Sequence, residues 1–311
     1  MGNTRDRKKG KQINRIKDFI LSRNLADRYA LICHVTILVS LLGSSYSYGQ
    51  ALRGTTGLLH APTAEMQRDK TFMLGGNYLD KYPMPGHFHS RDVGYTFNYY
   101  LNITIFPWLE VGYTCTLVHA DEGFTYFPSS VWGKFANQDR AFNVRLRLWK
   151  EGWWKSWTPQ IVLGADDPGT HSSYGGGSIA SGGDAGNNNY LTRYYLAVTK
   201  HLPFQNVGEL GIHTAFVIGN AMSDVHYKRP SFGANFRFAL PADESWTIKM
   251  LNGLNLMAEI CPGHTPDVRN AAYNWNIGGE YYIWKDHINL IAELNDGKYF
   301  SGGIYFKVHL K

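Results

Sequence analysis

An alternation of apolar and polar residues on both sides of one tight turn constrains this chain more than any other feature. Tyr95, Phe97, Tyr99, Leu101, Ile103 and Ile105 are apolar or aromatic, whereas Thr96, Asn98, Tyr100, Asn102 and Thr104 between them are mostly polar. After Pro107-Trp108 the pattern resumes, with Leu109, Val111, Tyr113, Cys115 and Leu117 set against Glu110, Gly112, Thr114 and Thr116. A period of two specifies strands, and a short turn between two such runs specifies an antiparallel hairpin. Each run has the length of a tilted strand crossing a bilayer, roughly 9–11 residues. Length and dyad repeat together are the signature of a transmembrane β-barrel.

Composition agrees. The mean hydropathy of −0.30 is too polar for a bundle of membrane helices. The 20 Tyr, 16 Phe and 9 Trp suit aromatic girdles, and the 33 Gly suit strands and turns. The net charge of +6 carries no information about a nucleic-acid partner. Residues 1–49 hold nine Lys/Arg and three acids, so of 31 basic and 25 acidic residues 22 of each remain beyond them. Of the three cysteines, Cys33 lies in an N-terminal apolar run, and Cys115 and Cys261 fall in distant strands as unpaired packing residues.

Residues 1–49 read as a secretory signal peptide. A basic stretch precedes the apolar core YALICHVTILVSLL at residues 29–42, and Ser47 and Gly49 suit a cleavage site that leaves Gln50 as the first mature residue. Export of a barrel points to a bacterial outer membrane. Residues 50–70, broken by Gly54, Gly57 and Pro62, are expected at the periplasmic rim or folded into the lumen. Residues 71–311 form the barrel. The same repeat recurs to the C-terminus and gives an all-β fold: a single antiparallel barrel of about 12 strands. Short connections at Pro107, Trp153, Pro203, Pro241 and Lys285 face the periplasm; most of those at Leu79, Ala120, Asp166, Gly219 and Cys261 are longer and face outward. The turn KEGWWKSWT at residues 150–158 carries three tryptophans, as expected where a girdle meets headgroups.

If the apolar face meets lipid, the other face lines the lumen. That places Glu110, Glu209, Glu259, Glu280 and Glu293 inside on strands running mostly outward, and Arg145, Arg147, Arg193, Arg237 and Lys307 inside on returning strands. Opposite charges on adjacent strands either orient a solute or pair with one another and fill a narrow barrel. Tyr100, Trp149, Tyr195, Tyr282 and Tyr305 point inward by parity, where they either stack on sugar rings or fill space.

Chemistry-bearing motifs are sparse. His87 and His89 near Asp92 read as loop histidines, and Asp166, Asp167 and Asp184 in the Gly-rich loop as solvated acids without calcium-loop spacing. No GxSxG, HExxH or P-loop pattern occurs, so neither catalytic residues nor a metal or other cofactor is expected. Ser172, Ser173 and His171 are the group from which a lipid-modifying barrel enzyme would have to be built.

Four phrases in order carry a resemblance. They are Thr56-Gly57-Leu58-Leu59 with Ala61-Pro62-Thr63-Ala64; Phe106-Pro107-Trp108-Leu109-Glu110; Gly164-Ala165-Asp166-Asp167-Pro168-Gly169-Thr170; and Tyr195-Leu196-Ala197-Val198-Thr199-Lys200. Together they resemble the YjbH-like family of outer-membrane proteins. Larger members carry more than one barrel, and this chain would make one. The resemblance implies a non-enzymatic outer-membrane barrel that assists export or surface assembly of an exopolysaccharide or capsule. Its implied partners are outer-membrane lipid, polysaccharide and other envelope export proteins. The alternatives are a structural or adhesive barrel with a blocked lumen acting through its loops, and a lipid-modifying enzyme.

Overall fold

Alternating side chains become alternating faces. In the computed structural model, twelve strands follow one another round a closed antiparallel barrel, each bonded to its sequence neighbours, with the last closing onto the first. The described residues are 51–80, 96–123, 128–168, 192–221, 225–241, 245–265, 268–284 and 287–310. The expected signal peptide, His87, His89, Asp92, His171, Ser172, Ser173 and Asp184 lie outside them.

The strands are β1 (Thr71–Leu79), β2 (Thr96–Phe106), β3 (Leu109–Ala120), β4 (Lys134–Trp149), β5 (Gln160–Asp166) and β6 (Arg193–Phe204). They continue with β7 (Gly208–Ala221), β8 (Val225–Phe238), β9 (Leu254–Thr265), β10 (Val268–Trp284), β11 (Ile288–Asn295) and β12 (Tyr299–His309). Closure runs through an unbroken register from Thr71↔His309 to Tyr78↔Gly302, which leaves no sheet edge.

β2 shows which face is which. Phe97, Tyr99 and Leu101 are 36–47% exposed, whereas Asn98, Tyr100, Asn102 and Thr104 are at most 3% exposed. The exterior continues with Phe142, Leu196, Phe216, Leu256, Trp275 and Ile304, all exposed. A closed barrel that is apolar outside and polar inside satisfies every ladder group within the sheet and presents its greasy face to lipid. This is an outer-membrane barrel.

Several boundaries differ from the sequence reading. β4 begins at Lys134, inside what was expected to be loop, and Gly133 with φ of 77° makes the bend before it. β7 reaches Ala221 before β8 begins at Val225, and β9 reaches Thr265 before β10 begins at Val268, so the connections expected to be long near Gly219 and Cys261 are short. The β8–β9 turn contains a helix, α1 (Trp246–Asn252). Asn252 bridges it to the end of β8, accepting from Leu240 N at 2.8 Å and donating to Leu240 O at 3.0 Å. The β11–β12 hairpin turns on Asp296 and Gly297, both at positive φ, which is the backbone an Asp-Gly pair supplies in a tight hairpin.

The core lies inside the barrel. Residues 51–67 run through the lumen, all buried except half-buried Arg53. They fold back on themselves, with Leu52 N donating to Leu59 O at 3.0 Å and a bridge between Gly57 and Pro62. Leu52, Leu58, Leu59 and Ala61 pack with Tyr100, Met257, Ile291 and Tyr305 of the wall, and Ala64 and Met66 pack with Val162, Tyr195 and Val217. Gly54 sits at φ 87°, and a Cβ there would stand 2.7 Å from Tyr100 and Thr114. Only glycine fits both the backbone and the space.

Candidate functional site

The lumen segment makes no regular ladder of its own, so its amides and carbonyls need partners elsewhere. The barrel wall supplies them, sorted by charge. Carboxylates take the amides. Glu259 accepts from His60 N at 2.8 Å and Ala61 N at 2.9 Å, and Glu110 accepts from Thr56 N at 3.0 Å and Thr56 Oγ1 at 2.7 Å. Thr199 Oγ1 accepts from Ala64 N at 2.9 Å.

Cations and amides take the carbonyls. Arg145 Nη2 donates to Thr63 O and to Glu65 O, Arg193 Nη1 to His60 O at 2.7 Å, and Gln160 to Ala64 O. Asn77 and Asn98 both donate to Leu52 O, at 2.9 and 2.6 Å, Asn102 donates to Gly54 O, and Thr114 donates to Arg53 O. The segment is therefore held from several strands at once: guanidinium groups of β4 and β6 take its carbonyls, and carboxylates of β3 and β9 take its amides.

Side chains complete the seat. His60 Nε2 meets Glu293 Oε1 at 2.7 Å. Glu65 Oε1 meets Arg237 Nη2 at 3.2 Å and His201 Nε2 at 3.1 Å. Burial alone would raise the Glu65 carboxyl, but the Arg237 charge and the His201 contact outweigh it and hold it down at about 2. Within the wall Arg145 Nη1 pairs with Glu110 Oε1 at 3.0 Å, and Arg193 Nε pairs with Asp166 Oδ2 at 2.6 Å. Buried pairs of this kind bring little net stability, because desolvation offsets attraction, but each is costly to break singly. Here they fix where the arginines point.

The structure places the residues singled out by parity as follows. Glu110, Glu259, Glu293, Arg145, Arg193 and Arg237 all touch the lumen segment or one another. Arg147 is half-buried and reaches Met66 O at 3.4 Å. Glu209 is half-buried opposite Arg237 in register. Glu280, Tyr305, Tyr282 and Lys307 form a separate group. Glu280 accepts from Tyr305 at 2.8 Å and Tyr282 at 3.2 Å, while the Lys307 ammonium lies 5.4 and 5.9 Å from the two ring centres.

Two expectations are corrected. Trp149 does not point into the lumen: the β4–β5 register slips between Arg147 and Trp149, which puts Trp149 opposite outward-facing Ile161 and 5.0 Å from the Trp153 ring. A bulge of one residue reverses parity, and alternation alone cannot foresee it. Asp166 and Asp167 are not solvated loop acids. Both are 2% exposed, Asp166 because β5 extends through it to meet Arg193, and Asp167 because its amide is bonded to Phe142 O at 2.8 Å.

The inward tyrosines have a common arrangement. Tyr100 is the register partner of Gly75, Tyr195 of Gly164 and Tyr227 of Gly219. Each ring lies across its glycine so closely that any Cβ there would overlap it. These tyrosines cover wall glycines beside the lumen segment rather than standing free. Sequence reasoning missed His60, Glu65, Gln160, Thr199 and the Asn77–Asn98–Asn102 set. For the wall residues the signal was present as inward parity; for His60 and Glu65 no periodicity existed to read.

The model of the family described as "Exopolysaccharide biosynthesis protein YbjH" matches residues 50–182. A curated relative, the "Uncharacterized lipoprotein YjbH" of Escherichia coli (strain K12), is 30% identical over 148 residues, which are 44% of this chain and 18% of that protein. The chain thus spans less than a fifth of the relative it matches. Among solved structures it is similar to the KdgM porin, at 10% identity and a TM-score of 0.41 over 78% of this chain and 99% of that one. It is also similar to the COG4313 outer membrane channel from Pseudomonas putida F1, at 10% identity and a TM-score of 0.40 over 79% and 98%. The matched residues 50–182 take in the lumen segment and strands β1 to β5, which receive its first half, and over them the chain is similar to the YjbH family.

Proposed function

We propose that this chain is a non-enzymatic outer-membrane barrel that assists export or surface assembly of an exopolysaccharide, and that its own residues 51–67 close the lumen at rest. The observation that carries this reading is where the family phrases fall. Thr56 to Ala64 is the lumen segment itself. Glu110 ends the second phrase and binds Thr56. Asp166 of the third phrase positions Arg193 against His60, and Thr199 of the fourth receives Ala64 N. A sequence signature concentrated on a plug and its receptor groups is expected if the closed state and its release are the working parts. A polar wall of carboxylates, guanidinium groups and amides, once vacated, offers a hydroxyl-rich chain the same donors and acceptors that the plug backbone now uses.

The tyrosine seats favour a second reading, in which the lumen stays closed and the barrel acts as a structural or adhesive element. One experiment separates them. Deleting the gene in its native bacterium should lower surface exopolysaccharide. Wild-type chain should restore it, and Glu259→Ala, which loosens the segment without touching the exterior, should restore or exceed it. Unchanged exopolysaccharide on deletion overturns the proposal. Full restoration by a variant whose segment is cross-linked shut would favour the second reading.

A further inference from the structure

One periplasmic turn is wired to the lumen segment. Residues 150–159 join β4 to β5 at the barrel end where β1 begins, and Glu151 in that turn points back toward the wall. Its Oε1 accepts from Lys200 Nζ at 2.7 Å and from His201 N at 2.9 Å, and its Oε2 meets His201 Nδ1 at 2.6 Å. The other nitrogen of the same ring meets Glu65 of the lumen segment. Lys200 also donates to Ser156 O at 2.6 Å, pinning the far side of the turn. His201 thus stands between a carboxylate of the turn and a carboxylate of the plug.

The outer surface of the turn has a different character. Trp153, Trp154 and Trp157 are 62–68% exposed. Lys155 lies over the Trp154 ring at 4.8 Å, and Lys150 is exposed. Because Glu151 is turned inward and consumed by Lys200 and His201, the lysines give this face a net positive charge, framed by indoles. Indoles settle at the headgroup level, and basic side chains beside them favour anionic lipid.

We propose that the β4–β5 turn seats on anionic phospholipid headgroups of the leaflet facing the periplasm, and that this seat, passed through Glu151 and His201 to Glu65, holds the lumen segment closed. The inference does not depend on the exopolysaccharide reading. An anionic surface fixes the turn, the fixed turn fixes Glu151, and Glu151 keeps His201 aimed at the plug. Without that surface the turn is free to move, and the Glu65 end of the segment opens more often.

The test places the full chain in nanodiscs of phosphatidylcholine with or without phosphatidylglycerol. Brominated phosphatidylglycerol should quench tryptophan fluorescence several-fold more than brominated phosphatidylcholine, and amide exchange across residues 60–67 should be on the order of tenfold slower with phosphatidylglycerol present. Lys150→Gln with Lys155→Gln, which touches neither the wall nor the plug, should abolish both preferences. Glu151→Gln should keep the quenching preference but make exchange indifferent to the lipid. Equal quenching by both lipids in the wild type, lipid-independent exchange in the wild type, selective quenching surviving in the double lysine variant, or lipid-dependent exchange surviving in either variant would overturn the proposal. Circular dichroism and heat-shifted gel mobility confirm that each variant is a folded barrel before it is scored.

Discussion

Replacing Glu259 by Ala should open the lumen segment while leaving the barrel standing. Glu259 accepts from two consecutive backbone amides, His60 N and Ala61 N, and from Asn276 Nδ2 at 2.8 Å. Its loss leaves both amides buried with no acceptor. Each unmet buried donor costs about 1–3 kcal/mol, so the closed segment loses roughly 2–6 kcal/mol relative to a displaced state in which water serves the same amides. At about 1.4 kcal/mol per factor of ten, the displaced population should rise between roughly 30-fold and 20,000-fold. Amide exchange across residues 55–66, followed by mass spectrometry on the detergent-solubilised barrel, reads this directly. Exchange at β2 and β3 should stay slow, since their ladders make no use of Glu259. Unchanged exchange at residues 55–66 would refute the assignment of Glu259 as an anchor. Equal acceleration everywhere would show that the barrel, rather than its plug, had been weakened.

Two further outcomes follow from the same geometry. The Glu65 carboxyl at about 2, against an ordinary 4.5, is lowered in the folded chain, so its contribution is fully present above about 4.5 and fades as the pH falls through about 2. Glu151 behaves alike: burial opposes ionisation, but hydrogen bonds from His201 and Lys200 hold it at about 2. Lumen conductance should therefore rise as the pH is lowered from 4.5 to 2, and Glu65→Gln should already be leaky at pH 7; a flat profile with a tight Glu65→Gln variant would contradict this. Gly164→Ala forces the Tyr195 ring off its seat and should cost about 1–3 kcal/mol in urea unfolding from lipid, with Tyr195→Leu restoring part of it; full stability of the single variant would show that the ring is not held there.

The strands were legible because one face must be greasy. Tyr99 or Leu101 cannot trade places with Asn98 or Asn102 without putting amides into acyl chains, so alternation along β2 and β3 determined both register and facing. Strand ends were less legible. The Lys134 end of β4 and the Val225 end of β8 carry polar residues that no lipid requirement sorts. Trp149 was misread because a bulge is a backbone event with no signature in alternation. The lumen segment was the hardest to place. Residues 51–67 have neither period, since their conformation answers to the donors and acceptors of a surrounding wall, which belong to strands tens to hundreds of positions away. The inward charges of Glu259 and Arg193 could be named from parity. That they clasp a peptide rather than each other required the fold: Glu259 takes two amides of the lumen segment, and Arg193 takes its His60 carbonyl.

Single-channel recording in planar bilayers asks most directly whether residues 51–67 close the barrel. Purified wild-type chain should insert and carry almost no steady current at pH 7, whereas a chain lacking residues 52–66, refolded in the same detergent and shown to be a barrel by circular dichroism, should give a stable ohmic conductance. Equal currents from the two proteins, open in both or shut in both, would contradict the central claim.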